Sequence, residues 1–536
     1  MTVHYTDEQV TLHLGNCIEV LREIPDASVD AVVCDPPYAL ANLHPDIVID
    51  ALTHWLTGDR DYIPTGRAGF MGADWDGFVP PPAAWDECLR VLKPGGHLLA
   101  FAAPRTADLM GLSIRIAGFE IRDSIHWLYG SGFPKGQDIG KAIDKQRHDR
   151  ADILRVTAWL SAARAAAGWT VKQIDDLFGF NGMAAHWCAV GSKAASAPKL
   201  EQWARLREAM GFDDSEILPL VEKLNARKGE IGEAWAKRPV VGKRHSGLSN
   251  GAASVFLSGT KGVDADGMIP VTVAATADAR RWEGWNTQLR PAHEPIIVAR
   301  KSTGFNTAVA NVLEWGTGAL NIGACRTETV SRGPGTTPLS GNGGKRGSMS
   351  GDLERVAYDG STGRWPTNVV FGHAEDCADA CAPGCPVAEL DSQSGVLTSG
   401  ANPTRRNSDK FRAAYGQFEG QAECTPARGA DSGGASRFFP TFRYEAKAPA
   451  AERPKLADGT QHTTVKPLAL MRWLVRLVTP VGGVVLDPFA GSGTTLEAAV
   501  LEGFNAIGIE RESDYADLCV QRLSKPLQPS LFGDAA

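Results

Sequence analysis

"DAVVCDPPYAL", residues 30–40, is the stretch on which the reading of this sequence turns. From Val29 to Cys34 the chain is almost continuously apolar, the pattern of a strand covered on both faces. Asp35 follows, then Pro36 and Pro37, which have no backbone N–H and cannot continue a strand or a helix, then Tyr38. A carboxylate, two prolines and an aromatic ring thus stand at the end of a buried strand. A second unusual stretch, "LDPFAGSGTT" at 486–495, lies almost at the other end of the chain.

Working outward from residue 30, strand-like and helix-like stretches alternate over residues 11–130. "PPAAWDECLRVLKPGG" reads as an amphipathic helix ending at Gly95-Gly96. "HLLAFAA" reads as a strand, "RTADLMGLSIRIAGF" as a helix and "EIRDSIHWL" as a strand. The same grammar returns at 462–523: a helix over 466–478, the strand "GVVLD", a helix from Thr494, the strand "NAIGIE" and a helix over 513–523. Strands joined by helical crossovers predict an α/β fold with a largely parallel, doubly wound sheet.

Between these blocks the texture changes twice. Residues 141–237 read as almost wholly helical. Residues 320–440 are rich in Gly, Ser, Thr, Pro and Arg without sustained periodicity, interrupted by strand-like "WPTNVVFG".

The bulk numbers are those of a globular chain: 536 residues, 43% hydrophobic and 22% charged. No run of about 18 apolar residues predicts a membrane span. The first residues lack a basic region followed by an apolar one, so no signal peptide is expected. Ten cysteines in 536 residues are too sparse for a disulfide scaffold and suit a reducing cytoplasm. A net charge of −7 argues against wholesale polyanion binding but leaves room for a local basic groove.

In "VVLDPFAGSGTT" a strand ends at Asp487, and Gly491 and Gly493 permit a tight turn and close approach of a ligand. Glu510 ends the next strand, where a carboxylate suits a ribose diol. The pattern is not GxGxxG and has no P-loop lysine.

Together, "DPPY" and "DPFAGSGTT" resemble the amino-group DNA methyltransferases. The order, catalytic motif first and cofactor motif last, is similar to the β group of that family. The resemblance covers residues 11–140, 281–317 and 440–523. It implies a Rossmann-like sheet with a circularly permuted motif order and S-adenosylmethionine as cofactor. It further implies double-stranded DNA as substrate, base flipping and a homodimer in a bacterial or phage-infected cytoplasm.

By the same resemblance the catalytic residues are Asp35, Pro36, Pro37 and Tyr38. Asp35 and the Pro36 carbonyl would accept hydrogen bonds from the two hydrogens of the target amine, and Tyr38 would stack on the flipped base. The cofactor contacts would be Asn16 (where relatives commonly carry Asp), Lys466, Asp487, Pro488, Phe489, Gly491, Gly493, Thr494 and Glu510. Lys466 would meet the methionine carboxylate. "AHEPIIVARK" resembles the strand that completes the methylase sheet, with His293 and Glu294 read as structural or phosphate-side rather than catalytic. "IHWLYGSGFPKG" at 125–136 reads either as a flap beside the base or as a packed turn. Asp rather than Ser at the head of the first motif favours adenine N6 as the target. The alternatives are cytosine N4 and a non-catalytic DNA-binding regulator on a methylase fold.

Three further features concern partners. "GWTVKQIDDLFGFNGMAAHWCAV", 168–190, reads as a helix-turn-helix capped by Thr170, with His186 and Lys193 as candidate DNA contacts, or as a bundle serving dimerisation. His373, Cys377, Cys381 and Cys385 form a His-Cys-Cys-Cys set suited to structural zinc. Residues 394–448 carry eight Lys/Arg against five Asp/Glu, and Arg405, Arg406, Lys410 and Arg412 within them are candidate DNA contacts.

The expected organisation is a catalytic half at 1–140, a mainly helical insertion at 141–280 and a return to the sheet at 281–317. A target-recognition region at 318–445, a cofactor half at 446–525 and a tail at 526–536 complete it.

Overall fold

The computed structural model describes residues 2–40, 43–65, 74–130, 136–227, 230–245, 268–327, 335–336, 357–358, 363–374, 377, 380–382, 384–399, 431–442, 454–456, 459–462 and 464–524. They form two compact units, Met1–Gly132 with Pro291–Ala536, and Phe133–Arg290. No helix among the described residues is long and apolar enough to cross a membrane.

The first unit is built on a ten-stranded sheet. In chain order its strands are β1 (Thr2–Thr6), β2 (Val10–Leu14), β3 (Val29–Cys34), β4 (Leu92–Phe101), β5 (Glu120–Leu128), β6 (His293–Arg300), β7 (Val369–Gly372), β8 (Thr441–Phe442), β9 (Val484–Asp487) and β10 (Asn505–Glu510). Across the sheet they run β1-β2-β10-β9-β3-β4-β6-β5-β7-β8. β1 pairs antiparallel with β2, and β6 antiparallel with both β4 and β5; every other pairing is parallel. This is the doubly wound α/β architecture that the sequence predicts, with two antiparallel strands, β1 and β6, that crossover grammar alone does not reveal.

β3 is buried along its whole length because both sheet faces are covered. Ala31 and Val33 join Leu99, Val485 and the helix Leu468–Val478 on one face. Val32 and Cys34 join Leu98, Leu486 and the helices Pro82–Val91 and Ala107–Ile116 on the other. Asp30, alone polar in this strand, is satisfied by Lys93 Nζ at 2.7 Å and by the Val484 N–H at 2.8 Å, which ties β3 to both neighbours. The helix expected to reach Gly95-Gly96 stops at Val91. Leu92 is already extended, Pro94 has no N–H to give, and Gly95 has φ +79°, so "LKPGG" opens β4 instead.

β9 and β3 are neighbours although about 450 residues separate them, with Val485 opposite Ala31 and Leu486 opposite Val32. The strand order reverses direction between them. Such a switch point leaves a crevice at the carboxyl ends of the strands, where ligands of α/β sheets bind.

The second unit has its own core. Helices Arg150–Ala166, Val171–Phe178, Met183–Trp187, Leu200–Met210 and Leu218–Ala226 bury Leu160, Ile174, Trp187, Trp203 and Val221 together. Thr170 caps its helix in a reciprocal capping box with Gln173, as expected. A stem carries this bundle. In it Asp144 is buried against Arg238 and accepts hydrogen bonds from the Ala275 N–H (2.9 Å) and the Thr276 hydroxyl (2.7 Å). The bundle leaves and re-enters the stem at one place, since the Gly232 N–H donates to the Lys145 carbonyl at 3.1 Å.

Candidate active site

Asp35 lies one residue past β3 and Asp487 is the last residue of β9, so the sheet sets the two motifs side by side at adjacent carboxyl ends. Around Asp35 three ionisable side chains converge: Tyr38, Glu294 and Lys466. Tyr38 donates its hydroxyl to Asp35 Oδ1 at 2.6 Å and to Glu294 Oε2 at 3.1 Å. Lys466 Nζ donates to Asp35 Oδ2 at 2.7 Å and lies 3.4 Å from Glu294 Oε2. The same ammonium sits over the rings of Tyr38 and Phe101, 5.1 and 5.0 Å from their centres.

Burial pulls the Lys466 ammonium down, but Asp35 and Glu294 outweigh it and hold the group above its ordinary value, so it stays charged. Burial, then Asp35 and Glu294, push the Tyr38 phenol well up, so it remains a hydrogen-bond donor. A carboxylate offers about four lone-pair sites. Tyr38 and Lys466 each take one on Asp35, which leaves acceptor capacity for an incoming amine.

The backbone after Pro37 is fixed by residues that motif reading does not find. The buried Asp76 accepts the N–H groups of Tyr38 at 2.7 Å and Ala39 at 3.1 Å, and Thr106 donates its hydroxyl to the Tyr38 carbonyl at 2.6 Å. Ala39 is held at φ +59°, a left-handed conformation rare outside glycine. A local turn held this firmly presents the Asp-Pro-Pro-Tyr segment in one geometry.

On the cofactor side, Glu510 accepts the N–H groups of Gly491 (2.7 Å), Arg511 (2.8 Å) and Glu512 (2.9 Å). Three lone-pair sites are thereby occupied and one remains for a ligand hydroxyl. Gly491 and Gly493 both have positive φ, +53° and +78°. A Cβ on Gly493 would stand 3.0 Å from Cys519 Sγ, and one on Gly491 3.1 Å from His462 Nε2. Arg522, 1% exposed, donates to the Ser492 carbonyl at 2.7 Å and pairs with Glu497 at 2.5 Å, bracing the glycine turn from beneath. Burial raises Asp487 to about 7 despite hydrogen bonds from the Thr495 side chain and the Phe489 N–H. His462 packs edge-on to Tyr515, ring centres 4.4 Å apart, and lies stacked with Trp75 at 6.2 Å.

Thus Asp35, Pro36, Pro37, Tyr38 and Lys466 gather at the end of β3, and Asp487, Pro488, Phe489, Gly491, Gly493, Thr494 and Glu510 at the ends of β9 and β10. Asn16 follows β2, beside β10. It is exposed and caps the helix Cys17–Leu21 by accepting the Ile18 N–H at 2.9 Å. Lys466, expected to meet the methionine carboxylate, bonds Asp35 and lies beside Glu294. Glu294, expected to be structural or phosphate-side, belongs to the Asp35 network. Its sole sequence signal is a Glu at the head of a buried strand. Trp75 and Asp76 carry no motif signal, while His462 and Arg522 lie within the stretch 440–523 that carries the family resemblance.

Away from the sheet crevice, His373, Cys377, Cys381 and Cys385 have their ligand atoms within 4.8 Å of one another. His186 Nδ1 bonds the Ala194 carbonyl at 3.0 Å, and Lys193 is exposed. Arg405, Arg406, Lys410 and Arg412 lie outside the described residues, as do residues 131–135 of the candidate flap.

Residues 273–521 match the family model described as DNA methylase. Over 94 residues the chain is 39% identical to the type II methyltransferase M.ScaI of Streptomyces caespitosus, covering 18% of this chain and 29% of that protein. Over 66 residues it is 47% identical to the type II methyltransferase M.HindIII of Haemophilus influenzae, covering 12% of this chain and 21% of that protein. The chain therefore spans less than a third of the length of either relative. A solved PvuII DNA methyltransferase (cytosine-N4-specific) aligns at 11% identity over 98% of this chain and 89% of that one, with a TM-score of 0.35, too loose an overlay to bear on fold or chemistry. With the Asp-Pro-Pro-Tyr strand placed ahead of its cofactor strands in the β-group order, the segment 273–521 belongs to the DNA methylase family.

Proposed function

We propose that this chain transfers a methyl group from S-adenosylmethionine to an exocyclic amine of a flipped base in double-stranded DNA, and that the amine is adenine N6. The observation that carries the reading is the meeting of Asp35 with the Asp487–Gly493 turn at the switch point of the sheet. Adenine is favoured because the motif opens with Asp, where cytosine-N4 members of the group tend to carry Ser.

The cofactor supplies an electrophilic methyl on sulfonium sulfur. Gly491 and Gly493 let it approach the backbone closely, and the free acceptor site of Glu510 suits a ribose hydroxyl. Asp35 accepts one hydrogen bond from the target amine and the Pro36 carbonyl the other. This draws the nitrogen lone pair out of ring conjugation and aims it at the methyl carbon. Asp35 would take the proton that the amine gives up as its nitrogen accepts the methyl carbon, the carbon–sulfur electron pair being left on sulfur. Lys466 and Tyr38 hold the Asp35 carboxylate in place, so catalysis here is chiefly positioning. Homodimers and a cytoplasmic setting accompany this reading by family resemblance, and sedimentation of the purified protein tests the former.

Incubation with DNA and the cofactor, followed by mass analysis of the nucleosides, is expected to yield N6-methyladenine. N4-methylcytosine would overturn the base assignment, and no methylated nucleoside the activity. Asp35→Ala is expected to bind the cofactor as the parent does and to lose turnover by about 100-fold or more, the cost of an aimed hydrogen-bond partner.

A further inference from the structure

The His373, Cys377, Cys381 and Cys385 group lies where three elements meet. His373 follows the last residue of β7, and its N–H donates to the Phe442 carbonyl of β8 at 2.9 Å. Cys385, fully buried, is the N-cap of the helix Pro386–Ser394. From that helix Asp391 accepts the Ser436 N–H and hydroxyl, both at 2.7 Å, seating the turn Ala435–Phe438. Between helix and turn, Leu397–Ser399 pairs antiparallel with Asp431–Gly433. The chain thus leaves β7, passes through the four residues and the helix, departs through a two-stranded stem at Ser399, returns at Asp431 and rejoins the sheet as β8.

Zinc bound tetrahedrally at about 2.3 Å by sulfur and about 2.0 Å by nitrogen sets sulfur–nitrogen edges of about 3.5 Å. The Cys381 and Cys385 sulfurs stand 3.4 and 3.6 Å from His373 Nδ1. The Ala382 N–H donates to Cys377 Sγ at 3.2 Å, the kind of backbone bond that supports a metal-bound thiolate. All three cysteines are free thiols. Four soft ligands converge on one point, at spacings of four residues each.

We propose that His373, Cys377, Cys381 and Cys385 hold one structural zinc ion, which locks the start of the helix Pro386–Ser394 to the end of β7 and so fixes the stem from which residues 400–430 depart. With all four positions filled by protein, the ion has no open site for substrate and serves architecture. Its loss frees the helix and, with it, the Asp391–Ser436 latch. Insofar as the stem carries the basic residues at 405–412, this rests on the DNA methylase reading.

Metal analysis of the full chain purified without added metal is expected to give one zinc per chain. The chelator-stripped protein is expected to take up one Co2+ with the sulfur-to-cobalt charge-transfer band of thiolate ligation. Cys381→Ser, at the most exposed ligand, is expected to weaken Zn2+ binding by more than the roughly 100-fold that loss of a supporting bond costs such sites. The same variant is expected to open the segment between β7 and β8 to protease and weaken DNA binding, with cofactor affinity unchanged. Absence of zinc, with no uptake by the stripped protein, overturns the site. Zinc present but with protease resistance and DNA affinity unchanged in Cys381→Ser overturns the role. Failure of the methylase reading shows separately, as loss of cofactor binding in the zinc-loaded parent.

Discussion

Asp487 shows how one side chain can link the cofactor turn to pH. Its carboxyl is buried at the end of β9 and lifted from 3.8 to about 7. Between these values the native chain keeps a proton that the unfolded chain has released, so stability falls as pH rises through that window and is level above it. The displacement corresponds to at most about 4 kcal/mol. Asp487→Asn keeps an oxygen for the Phe489 N–H and removes the titration. Its melting temperature is expected to gain on the parent steadily from about pH 4 to about pH 7 and to keep a constant lead above that; parallel curves in thermal denaturation would show that Asp487 is already ionised at low pH. Asp35, Tyr38, Gly491 and Glu510 were all legible as single letters because their chemistry is local to a motif. Asp76 and Glu294 were not, because each acts on a motif from a distant element, and nothing in the letters around them records the partner.

Among elements, the strands were read best. β5, β9 and β10 fall within a residue of the stretches that pattern alone marks, since short runs bounded by turn residues and rich in apolar letters have few other readings. The helix Pro82–Val91 was overextended because "LKPGG" continues the apolar rhythm while its backbone does not, a decision made by Pro94 and Gly95. The helix Ser513–Leu523 was placed correctly, yet its purpose was hidden: Arg522 reaches from its last turn to the Ser492 carbonyl and to Glu497. Arg522→Ala removes that brace and leaves Glu497 without this partner. Disrupting a buried pair in this way is expected to cost about 3–5 kcal/mol. Calorimetry of the variant should also show weaker cofactor binding, since the glycine turn loses its support; an unchanged melting point would mean that solvent replaces the guanidinium without loss.

At the scale of the molecule, the helical unit invites excision at a point the sequence does not mark. Gln146 and Gly232 are adjacent across the Lys145–Gly232 hydrogen bond, while the bundle between them has a core of its own. Replacing residues 147–231 with a short glycine linker is expected to leave cofactor affinity and the Asp144–Arg238 stem intact. If the bundle touches DNA, affinity falls and its salt dependence flattens, because fewer counterions are released. If it serves dimerisation, sedimentation shows a monomer at an unchanged salt slope per protomer. Retention of affinity, slope and mass per assembly would remove both roles.

The adjacency of β3 and β9 also has a temporal side. A ribosome has emitted more than four hundred residues after "DAVVCDPPY" before the strand that lies beside it is made. Until then one edge of β3 has no partner, and the crevice has only one wall. Pairings so distant in sequence form slowly and leave sticky edges exposed meanwhile. The crevice between Asp35 and Asp487 therefore gains its second wall only when residues 484–487, close to the end of synthesis, pair with β3.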